Sequence, residues 1–343
     1  MKKFLSLLLA VTMMATLAGC GSKKEETPAA TGAASTPAAA TAEQTDTNTV
    51  AIGAIVLARD DISEDEIYTF VSTIFENVDA ITSQHAKGAE LSLEYAASMT
   101  SVPYHPGAAK YFKEKGIEVA SVKEGAGTGA ARGSLTFGTG GESGTYYAFG
   151  GVLGSYVSNN TGLSITTVTS GGSAVNIDDM VADNVQICFC QSDVMAYAYN
   201  GERLFDGAAV EDFSVVAALY MEAVQIVTNN PDIKTVADLK GKKVSVGAAG
   251  SGTYFNAIDA LEAYGMTESD ISPVYQSFGD STESLKDGKI DAAFVVAGAP
   301  TTSIVDLATA TDVYLVNIDG AECEAMLAAS PYYSTYVIPA GTY

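Results

Sequence analysis

Two stretches of the 343-residue chain repeat one chemical pattern, Ser143-Gly144-Thr145-Tyr146-Tyr147 and Ser251-Gly252-Thr253-Tyr254-Phe255. Each follows a short apolar run, Leu135 to Phe137 in the first case and Val244 to Val246 in the second, and then a Gly-rich turn. The first copy opens a helical pattern carried by Tyr146, Phe149, Val152, Leu153, Tyr156 and Val157. Strand, glycine loop and helix N-terminus in that order leave backbone N–H groups pointing out of the helix, and glycines let a ligand come close. Such a device suits a small anionic or carbonyl ligand. One loop alone would be no more than a tight turn. Two matched loops, joined by the polar loops Thr169–Ser173, Gln191–Asp193 and Gly298–Thr302, make a site. The candidate ligand residues are Gly141, Ser143, Gly144, Thr145 and Tyr146 of the first loop, with Ser170, Gly172, Ser173, Asn176, Gln191 and Asp193. Ser251, Gly252, Thr253 and Tyr254 are expected to close on the ligand from the second. Asp193 could equally bind a ligand ammonium. Each helix N-terminus stabilises a nearby anion by roughly 0.3–1 kcal/mol when exposed, and by up to about 2 when partly buried. Several together need no arginine, and Arg59, Arg132 and Arg203 all lie outside these loops.

Rival chemistries lack their residues. Gly138, Gly140 and Gly144 are spaced one residue too far for a dinucleotide fingerprint, and the next strand ends on Thr169-Ser170 with no acidic residue for a ribose. A P-loop needs Lys after its last glycine, where both copies have Thr. A serine hydrolase wants its histidine later in the chain, but His85 and His105 both precede the glycine loops. His105, in a Pro-rich turn, reads as a structural contact. Cys188 and Cys190 would share one face of a strand and Cys323 has no evident partner, so buried free thiols are expected and zinc spacing is missing. The reading is therefore a binding protein and not an enzyme, with no cofactor and no metal. A formal charge of −23 excludes a nucleic-acid partner.

The elements that position these loops follow from periodicity. Lys2 and Lys3, an apolar run from Phe4 to Leu17 and the sequence Leu17-Ala18-Gly19-Cys20 make residues 1–20 a lipoprotein signal peptide. Cys20 would carry the lipid, placing the mature chain outside the cytoplasm and tethered to the membrane. Residues 21–48, rich in Ala, Thr, Pro and Glu, are expected to be a disordered tether. In 49–124 a buried strand spans Val50–Leu57. Ser63 and Glu66 form a capping box for a helix carrying Ile67, Phe70, Val71, Ile74 and Phe75 on one face, with further helices near 89–98 and 108–115. The Gly-rich stretch 125–133 reads as a flexible linker.

Residues 134–229 form a first lobe, with strands at Leu163–Thr169 and Val185–Cys190. The apolar run Val215–Thr228 within it is expected to be two strands or a crossover. Residues 230–319 form a second lobe with strands at Val244–Val246, Pro273–Gln276, Ala292–Ala297 and Val313–Asn317, and a helix Ser281–Asp287 capped by Asp280 with Glu283. Residues 320–343 are expected to return toward the first lobe through the hinge. Strands alternating with helices in both halves make an α/β fold with mostly parallel sheets, and ligands bind beyond the carboxyl ends of such strands.

The segments GTGGESGTYYAFGG, TSGGSAVNI, QSD, LKGKKVSVGAAGSGTYFNA, LKDGKIDAAFVVAGAP and YVIPAGTY resemble the TAXI family of solute-binding proteins, which serve TRAP-type transporters. The resemblance covers about 48–343. It implies a two-lobed periplasmic-binding-protein fold of type II that closes on its ligand like a hinge. It also implies a small carboxylate ligand, glutamate-like or a dicarboxylate, delivered to a TRAP-type membrane permease. A ligand-sensing module for a membrane signalling partner is the alternative. One departure is large: the segment resembling the family's C-terminus, packing mainly on the first lobe, here comes first, as in a circular permutation joined through 125–133. Permutation is tolerated where termini lie close together, so Tyr343 is expected near Thr47–Val50.

Overall fold

Strand β1 (Thr47–Arg59) and strand β5 (Phe213–Thr228) are near-continuous apolar runs, and both are buried along almost their whole length. A strand covered on both faces reads this way because neither face has to meet water. The two pair antiparallel from Ala51↔Ala223 to Arg59↔Phe213, with register shifts after Ala54 and after Val56. The run expected to be two strands or a crossover is thus one 16-residue strand. The computed structural model describes residues 45–343, so the expected signal peptide, Cys20 and all but the end of the tether lie outside the described residues.

On one side of this pair lie β2 (Ser134–Gly138), β3 (Ser164–Val168) and β4 (Ile187–Gln191), giving the order β3-β2-β4-β1-β5 with the first three parallel. On the other lie β6 (Lys243–Ser245), β7 (Ser272–Val274), β8 (Ala292–Ala297) and β9 (Tyr314–Val316), giving β7-β6-β8-β5 with β9 beyond, pairing β5. Each half therefore reads second, first, third, an antiparallel strand, then fourth. This is the two-lobed type II architecture that was expected. Both β1 and β5 serve both lobes. Ala54–Ala58 and Val215–Tyr220 belong to the larger core, whereas Val50, Ile52, Val224 and Ile226 belong to the second. The lobe boundary thus falls inside β5 and not at 229.

Helices α1 (Glu64–Phe75), α2 (Val78–Thr82), α3 (Leu93–Ala96) and α4 (Pro106–Glu114) precede β2. Ser63 caps α1, accepting the Glu66 N–H at 3.3 Å and donating its hydroxyl to the Glu66 carboxylate at 2.6 Å. Ile67, Phe70, Val71 and Ile74 bury the apolar face read from the sequence. His105 is fully buried at the N-cap of α4; its Nδ1 accepts from Gly107 and its Nε2 meets the Ile62 carbonyl at 3.1 Å. Its role is structural, as expected. The helix expected near 89–98 is a 3-10 turn, Ala86–Glu90, followed by the short α3.

Helices α5 (Thr145–Asn160), α6 (Ser173–Val181) and α7 (Ser192–Asn200) complete the first lobe. Helices α8 (Gly252–Ala263), α9 (Phe278–Lys286), α10 (Thr302–Ala308) and α11 (Gly320–Ala329) belong to the second. Three expectations need correction. Helix α9 starts three residues early, because Ser277 rather than Asp280 supplies the cap, accepting from the Asp280 N–H at 3.2 Å. The stretch 125–133 is not loose: Gly127 bonds Asp60 and Glu64 through its backbone, and the Glu66 carboxylate accepts the Arg132 and Gly133 N–H groups, both at 2.7 Å. Residues 320–343 do not return to the first lobe. Cys323, Met326 and Tyr333 pack in the second core, and strand β10 (Ser334–Ile338) pairs with the start of β1, Thr47 opposite Ile338. The far end of the chain does approach residues 46–51, with the Ala340 N–H donating to Asp46 at 2.9 Å. Cys188, Cys190 and Cys323 are free and buried.

Candidate functional site

Three helices begin at the carboxyl ends of strands and turn toward one another. Helix α5 has Gly144 as N-cap and α6 has Gly172, and neither is capped by a side chain. Their first-turn N–H groups, which have no partner within a helix, are not taken up by a cap. Gly172 sits at φ 108°, a conformation that favours glycine. The loop between β2 and α5 is held open by its neighbour: Thr139 donates N–H and hydroxyl to the Val168 carbonyl at 3.1 and 2.7 Å, and Ser170 donates its N–H to Gly140 at 3.2 Å. In the second copy Ser251 caps α8 by accepting the Tyr254 N–H at 3.3 Å.

These ends surround a cavity of about 150 Å³, a volume that accepts a guest about the size of benzene. Gly141, Gly144, Thr145, Tyr146, Ser170, Gly172, Ser173 and Gln191 line it from the first lobe, and Ser251, Gly252 and Thr253 from the second. Four expected residues are placed elsewhere. Ser143 packs on the second lobe, its carbonyl accepting the Ser303 N–H at 3.2 Å. Asn176 is fully buried behind the wall, donating to the carbonyls of Thr139 and Phe189 at 2.7 and 2.8 Å. Asp193 is fully buried, accepting from the Val194 N–H and from Asn256 of the other lobe. It is not free for a ligand ammonium. Tyr254 turns outward, its hydroxyl donating to Glu268 at 3.3 Å.

Sequence reasoning missed Glu222. It lies in β5 near the change of lobe, is 2 % exposed and lines the cavity. Tyr146 donates its hydroxyl to Glu222 at 2.7 Å, and the Tyr146 ring stacks on Phe189 at 4.6 Å between centroids. Burial pushes the Glu222 carboxyl up to about 8, against the pull of the Tyr146 hydroxyl and, at longer range, of Lys87. The only signal in the sequence is one acid in an otherwise apolar strand, VVAALYMEAVQIV. Ser277, Phe278 and Ala248 also line the cavity from the second lobe and went unread. The wall contains no Lys, Arg or His among the described residues. Lys87, 4 % exposed, is close by but paired with Glu90 and 5.5 Å from the Tyr220 ring centre.

Hydrogen bonds hold the two lobes together over the cavity. Thr145 donates its hydroxyl to the Gly298 carbonyl at 3.1 Å, Ala174 its N–H to Gly250 at 3.1 Å, and Asn256 its amide to Asp193 at 3.0 Å. Gly252 makes this fit possible, because a Cβ there would overlap the Gln191 side-chain oxygen. The arrangement can surround a small solute with backbone and hydroxyl donors and one carboxyl. Among the described residues no cluster of His, Cys, Asp and Glu is placed to hold a metal.

A family model described as the NMT1-like family matches residues 23–116 and 137–343. An Escherichia coli (strain K12) protein named for binding aliphatic sulfonates is 39% identical over 69 residues, 20% of this chain and 21% of that protein. Among solved structures, the alkanesulfonate-binding protein SsuA from Xanthomonas axonopodis pv. citri has TM-score 0.38 and 18% identity, over 55% of this chain and 61% of that one. The holo arginine-binding protein of T. maritima has TM-score 0.38 and 15% identity, over 59% of this chain and 93% of that one. The chain thus spans about a fifth of the curated relative it matches and about three fifths of the first of these structures.

Proposed function

The chain belongs to the NMT1-like family, and from that premise we propose that it is an extracytoplasmic solute-binding receptor, tethered through lipid on Cys20. It takes up a small carboxylate, glutamate-like or a dicarboxylate, and delivers it to a membrane permease. The observation that carries this reading is the convergence of α5, α6 and α8 on one closed cavity, with glycine caps at the first two. N–H groups at helix ends recognise anionic oxygens without a basic side chain. The resemblance of the glycine-loop segments to TAXI proteins favours a permease of the TRAP type. No feature of the site asks for turnover, and its residues serve to bind.

Calorimetry of the purified protein against amino acids, dicarboxylates and alkanesulfonates tests the ligand class. A carboxylate bound with micromolar or better affinity supports it. Binding confined to sulfonates would overturn the carboxylate assignment, and no binding from any of the three classes would overturn the receptor reading itself. Reconstitution with candidate permeases in vesicles, under an ion gradient and then with ATP instead, separates a TRAP partner from an ATP-driven one.

A further inference from the structure

Resting on the reading of the cleft as a solute site, we infer that its ligand carries a protonated amine held by the Glu222 carboxylate. The cleft then takes an amino acid in preference to the corresponding plain carboxylic acid.

The argument starts from the wall. Donors are abundant there: the first-turn N–H groups of α5 and α6, and the hydroxyls of Thr145, Ser173 and Thr253. Side-chain acceptors without hydrogens of their own are two, the Glu222 carboxyl and the Gln191 amide oxygen. The Gln191 oxygen is buried and has no hydrogen-bond donor. A buried acceptor left unpaired is costly, so an arrangement of this kind calls for a donor from outside the chain. A carboxylate ligand alone supplies more acceptors and no donor. An ammonium supplies three donors and the charge that a carboxylate wants.

Glu222 is also built to stay in place. The Tyr146 hydroxyl fixes one of its oxygens, and the stacked Phe189 fixes the Tyr146 ring. The charged and titratable groups facing Glu222 do not supply a counter-ion. Lys87 acts on it through space but is committed to Glu90, and Asp193 raises rather than offsets its charge. Tyr146, Tyr220 and Tyr95 are neutral neighbours whose own hydroxyls are pushed upward, first by burial and next by Glu222 itself. Buried Cys190 is likewise pushed up, first by burial.

The protons balance. Before binding the carboxyl holds a proton, consistent with a value of about 8 in the closed cleft. When R–NH3+ arrives, the carboxyl ionises, the O–H bond breaks, and one H+ passes to solvent while the ammonium keeps all three of its hydrogens. At pH 7 roughly 0.9 proton is released per amino acid bound, the fraction of a group titrating one unit higher that is protonated. A deaminated acid releases none from this carboxyl.

The test is isothermal calorimetry on the full chain at pH 7, in two buffers of different ionisation enthalpy. The probes are the common amino acids, each paired with its deaminated counterpart, such as L-glutamate with glutarate and L-aspartate with succinate. The expected result is an amino acid bound at least about 30-fold more tightly than its counterpart, with release of between about half and one proton. Glu222→Gln should abolish the release and cost a similar factor. Because the preference and the proton count are read on the unaltered chain, a variant that fails to fold leaves the test intact. Equal or tighter binding of a deaminated acid overturns the amine inference while leaving the carboxylate receptor standing. Amino-acid binding without proton release overturns it as well. Failure of both members of every pair to bind removes the solute-site reading and this inference with it.

Discussion

Asp193 and Asn256 meet across the lobe boundary, the Asn256 amide donating to the Asp193 carboxyl at 3.0 Å from the helix α8 that faces α7. The same amide also donates to the Tyr333 hydroxyl at 2.7 Å, Tyr333 donates to Asp259 at 2.7 Å, and Arg203 of the first lobe reaches Asp259 at 2.7 Å. A polar chain thus runs from one lobe into the other and back. Burial pushes the Asp193 carboxyl up to about 7, opposed by the Val194 N–H and by Asn256.

Asn256→Ala removes the cross-lobe donor to a buried carboxyl and should cost about 1–3 kcal/mol. The loss should be greater at pH 8, where Asp193 is mostly ionised and needs donors, than at pH 5. Urea titrations at the two pH values measure it; an equal loss at both would show that Asp193 ionisation is not involved.

Stability should fall between pH 6.5 and 8.5. Glu222 and Asp193 ordinarily titrate near 4.5 and 3.8, but burial raises them to about 8 and about 7 in the fold. Within the window between those values the unfolded chain has lost protons that the folded chain keeps. Their contribution is therefore present at low pH and is lost as pH rises through the folded values. The histidines act oppositely but lower down: burial depresses His105 to about 4 and lowers His85, so they penalise the fold only below about 6.5. The expected fall is on the order of 1 kcal/mol or more, seen as a lower melting temperature at pH 8.5. Glu222→Gln should flatten that profile.

Gly252→Ala should disfavour closure. Its Cβ would collide with the Gln191 side chain and lie 3.1 Å from the Ser173 hydroxyl, both in the first lobe. Overpacking of this kind costs about 1–3 kcal/mol when it cannot relax. Here the lobes can separate instead, so small-angle scattering should report a larger radius of gyration with little change in helix content. An unchanged radius with a large drop in melting temperature would place the strain inside one lobe.

Glu66→Ala should loosen the stretch 125–133. The carboxylate accepts two backbone N–H groups, those of Arg132 and Gly133, and also the Ser63 hydroxyl. Bonds to an ionised acceptor are worth about 1.5–3 kcal/mol each and are not additive. A loss of about 2–3 kcal/mol is expected, with faster limited proteolysis inside 125–133 as the specific readout.

Much of the fold was legible because its periodicities are strong. The run Ala292–Ala297 became β8 as read, and the glycine loops fell at strand ends. The site was legible in part, and its errors share a cause. Tyr146 and Tyr254 occupy matched positions in the repeated motif, yet one turns inward to Glu222 and the other outward to Glu268. A sequence echo fixes the backbone of a loop, not what surrounds the side chain that follows it. Asp193 was misassigned because a strand end followed by an acid resembles a ligand contact; Asn256, 63 positions away, claims it instead. Glu222 was hidden because its strand reads as core, and the cavity touches that strand only where it changes lobes.

That change of lobes sets a limit on modularity. Because β1 and β5 each contribute hydrogen-bonded ladder to both halves, no peptide bond in a loop can be cut to release either half intact. Division would have to sever two paired strands at their middles, exposing four raw sheet edges of the kind that aggregate. Recombination can trim or reorder the connections around this pair of strands. It cannot trade one half for a relative's without carrying the seam along.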